Sequence, residues 1–166
     1  FMQLLLGAER ASQMTPAAEV FEAGAKLTLS SDWDADTLSP LIKIETVLNR
    51  PTGKSFSSIQ DVLPMLTRNP AELLGFNSGT LETGKLADIV VINENIFEIP
   101  SNMISTRAKV VMTVFNGEIV YDPDGIGGTP VGEYPALENS GSLSMVGFLI
   151  GFSSSVWAGI SLVMLL

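Results

Sequence analysis

Any chemistry in this 166-residue chain falls to carboxylates, amines and hydroxyls, because it contains no His and no Cys. The commonest general base and metal ligand is therefore missing, and disulfides and thiolate metal sites are excluded. The best-placed carboxylate is Asp32. It follows Lys26-Leu27-Thr28-Leu29-Ser30, which reads as a short buried strand, and lies in the stretch Ser31-Asp32-Trp33-Asp34-Ala35-Asp36. In folds with parallel strands, the residues just past a strand's C-terminal end line the active site. A carboxylate there is placed for acid–base chemistry. Asp34 and Asp36 add negative charge nearby and either support Asp32 or simply face water. Trp33 reads as a packing residue or pocket wall. Lys85 and Asp88, in Gly84-Lys85-Leu86-Ala87-Asp88, read as part of a turn entering a strand rather than as reacting groups. Arg10 is either an ordinary surface residue or a contact for an anionic substrate.

The elements that must position Asp32 are well punctuated. Thr15-Pro16-Ala17 predicts a Thr-capped helix that runs to Glu22 or Ala23 and stops at Gly24. Ser39-Pro40 opens a second helix, with Leu41, Ile44, Val47 and Leu48 at helical spacing. Ser57 or Ser58 opens a third, with Ile59, Val62, Leu63 and Leu66 on one face. Pro64 should kink that helix or lie in its first turn. Asn69-Pro70-Ala71-Glu72 starts a short helix that Gly75 ends. Helix, strand and helix in alternation is the grammar of an α/β fold with parallel strands. Beyond residue 76 the pattern changes. Strands are expected at Leu86–Asn93, Lys109–Phe115 and Glu118–Tyr121, the last two joined by a type I′ turn at Asn116-Gly117.

Charge is unevenly distributed. The 9 basic and 18 acidic residues give −9, and every charged residue lies between Glu9 and Glu138. The acidic balance and scattered lysines and arginines argue against nucleic acid as a partner. The uncharged run from Met145 to Leu166 would make a helix of about 33 Å, close to a bilayer core of about 30 Å. It is expected to be a transmembrane helix; a buried core helix is the alternative. Four zones follow: 1–76 as alternating helix and strand, 77–122 as strands and turns, 123–142 as a Pro/Gly linker, and 143–166 as a transmembrane helix or anchor signal. The membrane partner would be held through residues 143–166. With no basic residue near the span, the rest of the chain is expected outside the cytoplasm. A lipid-anchor signal at Asn139-Ser140-Gly141 is the competing mechanism, weakened by a short spacer. The first residue is Phe1 rather than Met, and the chain is expected to be part of a longer one.

Four motifs, in order, carry a family resemblance. Leu29-Ser30-Ser31-Asp32-Trp33 resembles the Ser-Asp element that ends the last barrel strand of the metal-dependent amidohydrolase superfamily. Thr67-Arg68-Asn69-Pro70-Ala71-Glu72-Leu73-Leu74-Gly75 resembles the helix that follows in those enzymes. Gly79-Thr80-Leu81-Glu82-Thr83-Gly84-Lys85-Leu86-Ala87-Asp88-Ile89-Val90-Val91-Ile92 is similar to their Gly-Lys-x-Ala-Asp signature. Val114-Phe115-Asn116-Gly117-Glu118-Ile119-Val120-Tyr121 is similar to their closing hairpin. The Asp-Trp pair and the long helix after it most resemble the amidohydrolase 3 subgroup, which includes N-substituted formamide deformylase-like enzymes.

The resemblance implies an α/β fold: the C-terminal fragment of a (β/α)8 TIM-type barrel plus part of a small β-sandwich, here followed by the transmembrane helix. A complete barrel takes about 250 residues, so it cannot close within 1–76. The resemblance also implies hydrolysis of C–N bonds in small amide or cyclic-amide substrates by a metal-activated water, with a divalent metal, expected to be zinc, in the intact parent. Of the family's metal ligands only the last-strand Asp maps here, onto Asp32, which is thereby assigned both as catalytic residue and as metal ligand. A carboxylate beside a metal-bound water can do both. A catalytic zinc site needs about three protein ligands, and the family's His ligands have no counterpart in this sequence. The usual Gly before Ser-Asp is Ser30, and the usual Pro after Trp is Asp34. The expectation is a C-terminal hydrolase fragment, inactive alone. The alternative is a non-catalytic, membrane-tethered remnant with a binding or structural role.

Overall fold

The computed structural model describes residues 2–32, 36–50, 54–131 and the backbone of 161–162. Two five-residue helices, α1 (Met2–Leu6) and α2 (Ala8–Ser12), turn on Gly7 at φ 78°. Helix α3 (Ala17–Glu22) begins one residue later than the Thr cap predicts. Thr15 instead adopts φ 50°, and its carbonyl accepts from the Arg50 guanidinium at 2.8 Å. Arg10, expected in a loop, lies in α2 and is exposed.

Helices α4 (Pro40–Leu48) and α5 (Ile59–Leu66) start where Ser39-Pro40 and Ser58 place them. Ser58 Oγ accepts the Asp61 N–H at 3.3 Å and donates to Asp61 Oδ2 at 2.6 Å, satisfying an otherwise unpaired helix-end donor. Pro64 cannot donate to the Gln60 carbonyl, and α5 ends two residues later. At Thr67 (φ −125°, ψ −94°) the chain breaks into α6 (Arg68–Leu74). Helix α6 stops at Gly75, φ 74°, with Phe76 N–H on the Ala71 carbonyl and Gly75 N–H on that of Glu72. That pattern is a Schellman motif, which glycine's freedom at positive φ permits.

Strand β1 (Ile89–Ile92) pairs antiparallel with β2 (Val110–Phe115), which pairs with β3 (Glu118–Tyr121). Asn116 and Gly117 both have positive φ (50° and 83°), as a type I′ hairpin turn requires. A 3₁₀ turn (Ser101–Met103) and helix α7 (Ile104–Arg107) connect β1 to β2 and pack on α4. One core crosses the 76/77 boundary. Ile44, Val62 and Met65 from the helices meet Val90 and Ile92 from β1, together with Ile96 and Ile104 from the connection. Each such side chain, fully buried, contributes about 1.5–3 kcal/mol.

Two expectations change here. Residues 26–30 do not form a strand; they are extended coil, with Leu27 and Leu29 half-buried and Lys26, Thr28 and Ser30 exposed. The alternation is that of a strand, but no neighbouring strand among the described residues supplies a ladder. The backbone groups of Leu27 and Leu29 are met by α5 and α6 instead. The parallel α/β sheet expected for 1–76 is accordingly not formed among the described residues, where the sheet is antiparallel.

The transmembrane helix falls almost wholly outside the described residues. Its two described positions, Ser161–Leu162, form β4 and pair antiparallel with Ile92 and Val91, extending the sheet to the order β3-β2-β1-β4. At these two positions the backbone is a strand rather than a helix, because it meets the open edge of β1. No helix among the described residues is long and apolar enough to cross a membrane. Within the expected linker, residues 123–131 fold back as a loop. Asp122 is fully buried, its carboxylate accepts the N–H groups of Ile126 and Gly127 at 2.7 Å each, and a backbone bridge to Val131 closes the loop.

Candidate functional site

Asp32 stands at the end of the extended segment, and that segment is held from one side. Leu29 N–H donates to the Met65 carbonyl at 2.9 Å. Asn69 Nδ2 donates to the Leu27 carbonyl at 2.7 Å. Lys26 pairs with Glu72 of α6. The segment carrying Asp32 is thus aligned by the α5–α6 junction. The Asn of Thr67-Arg68-Asn69-Pro70-Ala71 does not cap a helix; it lies inside α6, is buried, and clamps the extended segment.

Asp32 itself has φ 50°, a left-handed conformation that Asp tolerates better than most residues. Its N–H donates to Ser30 Oγ at 3.2 Å. It is exposed, and among the described residues no donor reaches its carboxylate. That leaves an anionic group directed away from its own backbone and available to a ligand or reacting group. Trp33 and Asp34 lie outside the described residues.

Asp36 does not simply face water. It pairs with Lys43, and its Oδ1 accepts the Thr37 N–H at 2.7 Å. The Lys43 hydrogen bond, with that of Thr37 behind it, holds the Asp36 carboxyl below the ordinary carboxylate range. Glu72 is lowered in the same direction, chiefly by its hydrogen bond from Lys26. A carboxyl depressed in the folded state adds stability above its unfolded value and loses it as pH falls through the folded one. We therefore expect Tm to fall on acidification below about pH 4, and the double variant Asp36→Asn, Glu72→Gln to flatten that limb. Both groups are solvent-exposed, so the effect is small and shrinks with added salt. An unchanged acid limb in the double variant would exclude these two pairs as its source.

The structure gives the Gly-Lys-x-Ala-Asp motif a structural role. Asp88 is buried and accepts the Asn116 N–H at 2.8 Å, while the Ala87 carbonyl accepts that of Gly117 at 3.0 Å. The motif pins the hairpin turn between β2 and β3, as its reading as a turn entering a strand requires.

No group of three or more potential metal ligands occurs among the described residues. A metal centre therefore does not fit the donors of this chain, of which Asp32 is one carboxylate. Two positions that the sequence reading missed stand out beside it: Asn69, and the buried Lys43 of α4.

Comparison with known proteins agrees with this geometry. A sequence model of the amidohydrolase family matches residues 1–121. The dihydroorotase of Ruminiclostridium cellulolyticum is 35% identical over 77 residues, covering 45% of this chain and 18% of the relative. The 5'-deoxyadenosine deaminase of Methanosarcina acetivorans is 28% identical over 126 residues, covering 68% and 29%. The 5-methylthioadenosine/S-adenosylhomocysteine deaminase of Thermotoga maritima is 27% identical over 137 residues, covering 76% and 32%. The chain thus spans between 18% and 32% of the length of these relatives. No solved structure matches it.

Proposed function

The chain belongs to the amidohydrolase family, and from that premise we propose that it is the C-terminal part of a hydrolase acting on carbon–nitrogen bonds other than peptide bonds. The family suggests a TIM-type barrel, of which this chain supplies the last-strand segment and its helices, with β1–β3 as part of a flanking β-sandwich. The observation that carries the reading is Asp32, an unpaired carboxylate at the end of an extended segment held by the family's own Asn69. The relatives' names support the bond type: a dihydroorotase and two deaminases all act at C–N bonds. Small amides or cyclic amides are the proposed substrates, and the N-substituted formamide deformylase-like subgroup is the proposed placement.

Further support comes from exposed apolar residues. Leu73, Leu74 and Phe76 at the end of α6 are 73%, 64% and 57% exposed, as expected of a face covered by other protein. Any divalent metal would take most of its ligands from residues outside this sequence, with Asp32 offering one oxygen. The isolated chain is therefore expected to hydrolyse no amide and to retain no zinc. Elemental analysis after dialysis checks this, and stoichiometric metal on the isolated chain would overturn it.

Membrane attachment through 143–166, with the remainder outside the cytoplasm, belongs to the same proposal and rests on the 22 uncharged residues from Met145 to Leu166. A tagged protein should pellet with membranes, and deletion of 143–166 should release it. If the tailed protein stays soluble, the run is instead part of the fold, consistent with pairing of Ser161–Leu162 to β1. Release by a phospholipase specific for lipid-anchored proteins would replace the single span with a lipid anchor.

A further inference from the structure

A lysine is rarely taken out of water unless it is paired, yet Lys43 on α4 is 8% exposed. Its partner Asp36 has a side chain that is 59% exposed, so the lysine stem runs through packed protein to meet its carboxylate near the surface. Such a pair adds little stability: desolvating the ammonium offsets its attraction to the carboxylate, which is itself open to water. What the pair fixes is the path of the chain. Asp36 Oδ2 is held by Lys43 and its Oδ1 by the Thr37 N–H at 2.7 Å; Thr37 Oγ1 in turn accepts the Ser39 N–H at 3.3 Å, immediately before α4. At the other end, Asp32 N–H is held by Ser30 Oγ. The turn that carries Asp32 is tied upstream to the extended segment and downstream, through Asp36, to a buried residue of α4.

We propose that Lys43 is a positioning residue for Asp32: through Asp36 it sets where the turn leaves the extended segment, and so where the Asp32 carboxylate points. The proposal rests on the reading of Asp32 as the reacting carboxylate, but its first test does not. Amide exchange is measured by NMR on the 166-residue chain and on Lys43→Met, Lys43→Arg and Asp36→Asn. Met keeps the buried stem and removes the charge. Tm is expected to hold or rise in Lys43→Met, while exchange at Thr37 and Asp32 quickens about fivefold, the worth of one hydrogen bond. Asp36→Asn, at an exposed side chain, should reproduce that change, and Lys43→Arg should restore slow exchange. If Thr37 quickens and Asp32 does not, or if Lys43→Met lowers Tm sharply, the positioning role is overturned.

In the longer hydrolase, Lys43→Met should lower kcat about tenfold with KM changed less than about twofold, because misplacement costs the reacting geometry rather than binding. Asp32→Asn, assayed alongside, separates the two ideas. If it is inactive while Lys43→Met is fully active, the Lys43 proposal fails alone. If it is active, the catalytic reading of Asp32 fails, and the exchange data alone decide for or against Lys43.

Discussion

Gly79→Ala is expected to destabilise the protein by about 2–5 kcal/mol, a large share of the roughly 5–15 kcal/mol of a typical domain. Gly79 has φ 81°, and a Cβ built there would lie 2.8 Å from both Ala71 Cβ and the Thr67 carbonyl oxygen and 2.9 Å from Arg68 Cα. Two of these three atoms are backbone, at the junction where α5 breaks into α6, so no rotamer change relieves the clash. That junction also holds the extended segment bearing Asp32, through Met65 and Asn69. Gly84→Ala is the control. It has the same left-handed strain at φ 91° but nothing within 4 Å of the added carbon, so its cost is conformational alone, about 1–2 kcal/mol. Denaturant midpoints at constant slope measure both. Equal losses at the two positions would show that the close approach at Gly79 contributes nothing.

That contrast shows where the sequence was legible. Gly79 and Gly84 read identically as turn glycines, and both do turn. Only the packed structure shows that one also lies against a helix junction. Signals carried by a residue's own conformational preference came through: the Ser58 cap, the Gly75 stop and the Asn116-Gly117 turn each need a few neighbouring atoms and no distant partner. Features that depend on remote partners did not. Lys26–Ser30 alternates like a strand, but a strand exists only when a neighbour completes its ladder, and here helix groups do so instead. Lys43 looks like a surface lysine in a helical stretch; its burial follows from α4 turning that face inward and from Asp36 lying seven residues back. Asp122 looks like the start of a linker until two backbone N–H groups close on its carboxylate. The tail's composition suggested a membrane helix, and composition carries no information about the open edge of β1 that Ser161–Leu162 meets. Asp32 was found because its signal is local, a carboxylate just past an apolar alternating run.

The largest effect is expected at Asp32. In the longer hydrolase proposed above, Asp32→Asn should lower kcat by about 10²–10⁴-fold, the range spanned by loss of a positioned acid–base group. The substitution is clean for a structural reason. Asp32 has φ 50°, and Asn is one of the few residues that adopts this region as readily as Asp. The backbone therefore has no reason to move, and the Asp32 N–H can still reach Ser30 Oγ. Since no donor among the described residues holds the carboxylate, its charge is not needed to keep the turn folded. Tm should stay within about 1–2 °C of the parent, as for surface substitutions generally. Asp32→Ala would combine loss of the carboxylate with left-handed backbone strain and so confound the two. Rate and stability must therefore be measured on the same Asn preparation. A large loss of kcat at unchanged Tm places Asp32 in the chemistry. Near-normal kcat removes it, and the family resemblance would then describe the ancestry of this segment rather than its work.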